Sequence, residues 1–97
     1  MTLPEGSGDS AVVTLNVPAP YSLGSYGEGG KFQISVDGTV LPAFAEYDYV
    51  IGMGSRGTVR VPTTLVVAVP LMLKKQTVVA LAQNCIIDST ASLSAIV

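Results

Sequence analysis

Apolar and polar residues alternate with a period of two along most of this chain, and nowhere with the period of a helix. Residues 12–17 set Val13, Leu15 and Val17 on one face and Val12, Thr14 and Asn16 on the other. Pro18 and Pro20, which lack an N–H for a ladder, close that strand. Residues 31–36 alternate as cleanly, with Phe32, Ile34 and Val36 toward a core and Lys31, Gln33 and Ser35 outward. Asp37 and Gly38 then predict a type I′ hairpin turn, because both tolerate positive φ. Thr39, Val40 and Leu41 begin the return, which Pro42 ends. Residues 46–53 predict a further strand with Tyr47, Tyr49, Ile51 and Met53 on one face and Glu46, Asp48, Val50 and Gly52 on the other. A turn at 54–57 leads into a short strand at 58–61.

Two later segments abandon the alternation. Residues 65–73 and 77–82 are apolar on both faces, the pattern of strands covered on both sides. Pro70 places a bend or a sheet edge within the first of them. Lys74, Lys75 and Gln76 form the intervening turn; residues 84–87 and 91–97 complete the strand set, with a turn at 88–90. Residues 1–9, with Pro4, Gly6 and Gly8, predict a flexible N-terminal arm, and residues 10–97 a single domain. Seven to eight short antiparallel strands with turn signals roughly every 8–12 residues predict an all-β fold, a β-sandwich or jelly roll.

Composition sharpens this picture. Five basic and seven acidic residues leave the chain only 12% charged while 48% is hydrophobic. A small domain has much surface for its volume, so this scarcity of charge predicts that sister copies cover part of it. The paired bases Lys74 and Lys75 are too few for a nucleic-acid surface. The uncharged stretch from 61 to 73 carries two prolines and falls short of the about 20 residues of a spanning helix, so no membrane partner is expected. The N-terminus lacks a basic, then apolar, leader pattern, so synthesis in a cytoplasm is expected.

The chain contains no histidine, which removes imidazole-based nucleophilic triads and most zinc sites. Its single cysteine, Cys85, sits between Asn84 and Ile86 and predicts a buried, inert thiol. Glu46 and Asp48 share a strand face; they suit ion pairs with Arg56 or Arg60 better than a calcium site, which needs six to eight oxygens. The Gly-rich run before Lys31 leads into a strand, so no helix N-terminus is there to hold a phosphate. No catalytic residue, cofactor or metal is expected. The tyrosines Tyr21, Tyr26, Tyr47 and Tyr49 are the candidates for contact with a ligand or partner, the first two in a Gly-rich loop at 21–30 where they could equally lie flat on the sheet.

From Val61 and Pro62 through Leu73, Lys74, Lys75, Gln76 and Thr77 to the closing run at 91–97, the second half resembles the last strands of C1q/TNF-like trimer heads. In length and Gly/Ser/Thr-rich character the chain also resembles small capsid-decorating proteins of phages and viruses. These resemblances imply a non-enzymatic virion protein that self-associates as a trimer and decorates or stabilises a capsid, with the major capsid protein or another virion protein as partner. Leu65, Val67, Val69, Leu71, Val79 and Leu81 would then form one apolar face, in the core or on the trimer axis. The alternative is a lectin-like or receptor-binding head that uses the four tyrosines.

Overall fold

A computed structural model describes residues 1–22, 29–47, 62–87 and 89–97. Ten strands occur among them: β1 (Thr2–Leu3), β2 (Ser10–Val17), β3 (Tyr21–Ser22), β4 (Gly30–Val36), β5 (Thr39–Val40), β6 (Ala45–Tyr47), β7 (Thr63–Pro70), β8 (Gln76–Gln83), β9 (Cys85–Ile86) and β10 (Ser92–Ile96). A five-stranded sheet runs β1-β8-β4-β5, with β6 also pairing to β4; a three-stranded sheet runs β10-β2-β7; β3 and β9 form a short ribbon. Every pairing is antiparallel, as the expected all-β sandwich requires. Of the sequence-based strand at 46–53 only residues 46 and 47 are described, and the turn at 54–57 and the strand at 58–61 lie outside the described residues.

The core lies where the inward faces of the two main sheets meet. From β2 it takes Ala11, Val13, Leu15 and Val17, from β4 Phe32, Ile34 and Val36, from β7 Leu65, Val67 and Val69, and from β8 Val78. The period of two explains this, since side chains two apart on a strand share a face. Asp37 and Gly38 adopt φ values of 50° and 83°, as the hairpin turn demands. The turn is tied across the sheet, because the Thr77 N–H donates to Asp37 Oδ1 at 2.9 Å.

Three expectations are corrected. The strand expected at 65–73 ends at Pro70 as β7, and within this one chain only its inward face is covered, since Thr64, Val66, Ala68 and Pro70 face outward and exposed. The six apolar residues assigned to one face divide. Leu65, Val67, Val69 and Leu71 are buried, but Val79 is 48% exposed and Leu81 only half-buried. The reason is parity, because Gln76 and Val78 take the inward positions of β8 and so turn Val79 and Leu81 outward. Finally, the first nine residues are not a loose arm. Thr2 and Leu3 pair with Thr77 and Gln76, Leu3 is 1% exposed, and the Met1 ammonium donates to the Val78 carbonyl. Leu3 supplies the apolar anchor, and two backbone bonds hold residues 6–9 beside β7: Gly6 N–H to the Met72 carbonyl and Leu71 N–H to the Asp9 carbonyl.

Position in the sandwich predicts the cost of substitution. Ile34→Ala, at a fully buried site, destabilises the fold by about 2–5 kcal/mol. Val66→Thr on the exposed face of β7 stays within about 0.5 kcal/mol. Urea denaturation of the two variants measures both values.

Candidate functional site

One end of the five-stranded sheet carries a polar row. Lys31 in β4 stands opposite Glu46 in β6 on one side and Gln83 in β8 on the other. Residues directly opposite in an antiparallel pair project to the same face, so the acid, the ammonium and the carboxamide lie side by side. Together with Gly29, Gly30, Tyr47 and Asn84 they line a concavity of about 320 Å³. It lies where the chain leaves β6 and β8 and enters β4, among connections of the kind that carry binding residues on a rigid scaffold.

Local sequence shapes this hollow. Asn84 adopts a left-handed φ of 59°, which its short polar side chain tolerates. That residue interrupts the run between β8 and β9, leaving Gln83 and Asn84 exposed and Cys85 buried. Beneath the hollow, Tyr47 stacks on Phe32 with ring centroids 6.1 Å apart. A Cβ at Gly30 would lie 2.5 Å from Tyr47 Cε1 and 2.8 Å from Cys85 Sγ, so only glycine lets these two side chains close over β4. Burial pushes the Cys85 thiol pKa up, while backbone hydrogen bonds with Lys31 and Gln83 pull the other way. The thiol is therefore a protonated packing group at neutral pH, not a nucleophile. Lys31 Nζ sits 4.3 Å from the centre of the Phe44 ring, a cation–π contact that restrains the ammonium at the rim.

The tyrosines expected to contact a ligand are distributed differently. Tyr47 is buried against Phe32 and offers the hollow only part of its surface. The backbone of Tyr21 pairs with Ile86 in the β3–β9 ribbon. Tyr26 and Tyr49, like Asp48, Arg56 and Arg60, lie outside the described residues. Glu46, set beside Asp48 from sequence, faces Lys31 across the strand pair. Gln83 and Asn84 had not been singled out; two carboxamides ending the apolar run of 77–82 are the signal that could have marked them. Among the described residues no three of His, Cys, Asp and Glu come together as a metal site would need.

The packing around Gly30 yields a direct expectation. Gly30→Ala displaces Tyr47 or Cys85 and costs about 1–3 kcal/mol in stability. The partner substitution Cys85→Ala in the same chain recovers part of that loss, and denaturant midpoints of the single and double variants measure the coupling.

No curated protein and no solved structure matches the chain significantly. A family described as the Bc2l-C N-terminal domain matches it from residue 2 to residue 96, nearly end to end. The chain belongs to the Bc2l-C N-terminal domain family.

Proposed function

We propose that this chain is a lectin-like β-sandwich module that binds carbohydrate without altering it, and that the hollow between Lys31, Glu46, Gln83 and Asn84 is its sugar-contacting surface. The observation that carries the reading is the polar row itself. Sugar hydroxyls both donate and accept, as do the carboxamides of Gln83 and Asn84, while Glu46 accepts and Lys31 donates. Membership of a family of lectin-like, jelly-roll-type β domains supports the same reading. The row carries one acid and one base, so it favours neutral sugars over strongly charged ones. Stacking plays a smaller part than expected from the tyrosines, since the ring of Tyr47 is committed to Phe32. Capsid decoration, which the resemblances in the sequence implied, finds no support in the family match.

Self-association is a second reading, favoured by the outer face of the three-stranded sheet. Ile96, Val12 and Ala68 stand in one cross-strand row, with Val66 on the same face two residues from Ala68. All four are exposed, Ile96 at 76%. Covering this corner with sister copies in a homo-oligomer such as a trimer removes apolar surface from water at about 25 cal/mol per Å².

Two measurements test these readings. On a glycan array the chain gives saturable binding to neutral sugars, and Gln83→Ala with Asn84→Gly weakens it about tenfold while thermal unfolding stays intact. Binding that the double variant leaves unchanged removes this surface from the function, and an array without saturable signal removes the function. Light scattering behind size exclusion at micromolar concentration reports an oligomer that Val12→Lys dissociates; a monomeric parent chain ends the second reading.

A further inference from the structure

At the other end of the sandwich, between the β4–β5 hairpin and the end of β7, lies a second concavity of about 290 Å³. That is near the lower end of the roughly 300–1,000 Å³ range of small-molecule sites. Its walls are apolar, with Val36, Leu41, Val69 and Met72 among them, and among the described residues Thr39 and Gln76 are the polar side chains that line it. Gln76 holds an inward position of β8 and is 4% exposed, yet its Oε1 receives no hydrogen bond. A buried acceptor without a donor calls for a partner. Among the described lining side chains a water would find the Gln76 amide and the Thr39 hydroxyl, the lower limit of the two to four polar neighbours that a buried water takes. Among the described residues no charged side chain lines the space, and Lys74 and Asp37, close by in sequence, face each other at 3.9 Å.

We propose that this concavity binds a small neutral alcohol or phenol, with its hydrocarbon body against the apolar walls and its hydroxyl donating to Gln76 Oε1. One buried, unpartnered acceptor in a largely apolar wall suits a ligand with one donor, and it disfavours a sugar, whose many hydroxyls would lose water with little replacement. Met72, 52% exposed and unbranched, is part of the same wall and can change rotamer as a ligand enters. This site is independent of the carbohydrate surface, since it shares no residue with it.

The test compares p-cresol with toluene, which has the same ring but no donor, by NMR titration of the intact chain. With p-cresol, the methyl signals of Val36, Leu41 and Val69 and the side-chain amide of Gln76 shift together and saturate. Toluene binds about fivefold more weakly, the margin that one neutral hydrogen bond supports. In Gln76→Leu the two ligands bind equally. If that variant does not fold, the parent chain's cresol-to-toluene ratio decides alone, and a ratio near one overturns the proposal. Shifts that never saturate overturn it, and so does a long-lived water detected at the Gln76 amide that p-cresol does not displace.

Discussion

The structure depends on two apolar layers hiding each other from water. β2 and β4 are the inner strands of their sheets, and each presents an unbroken inward series: Ala11, Val13, Leu15 and Val17 from one, Phe32, Ile34 and Val36 from the other, all buried. A slip of one residue in either strand would exchange these for Val12, Thr14 and Asn16, or for Lys31, Gln33 and Ser35. Burial therefore fixes register, and register fixes everything on the outside. The Glu46–Lys31–Gln83 row and the Ile96–Val12–Ala68 row are cross-strand neighbours only because the inward residues are locked.

How much of this was legible in the sequence varied with local patterning. Where alternation is strict, as in 12–17 and 31–36, one apolar face leaves a single choice of orientation, and the strands lie where the pattern sets them. The Asp37–Gly38 turn was equally plain because it rests on backbone sterics that act locally. Residues 77–82 were ambiguous, for a run apolar at nearly every position carries no parity of its own. Its orientation comes from partners distant in sequence, Leu3 against Gln76 and Val36 against Val78, and those contacts are invisible to local reading. The same holds for the N-terminus. Its proline and glycines argued for looseness, and the burial of one leucine outweighed them.

The polar hollow was only half legible, for a related reason. Its members come from β4, β6 and β8 and the Gly29 and Asn84 positions beside them, and nothing in their spacing along the chain announces that they meet. The tyrosines drew attention because aromatic rings are conspicuous in a chain with few of them. Yet Tyr47 serves as floor, wedged with Cys85 over a glycine, and the groups that reach into the hollow are amides and charges with ordinary composition.

The brief strand at the amino terminus has one more implication. Strand β8 would otherwise present unpaired N–H and carbonyl groups along Gln76 and Thr77, an invitation for another polypeptide to zip on. Two residues and a terminal ammonium occupy that rim, with a buried leucine as their rivet. Because Leu3 is among the most deeply buried side chains, a chain clipped ahead of Pro4 would lose core packing and bare that border in one step.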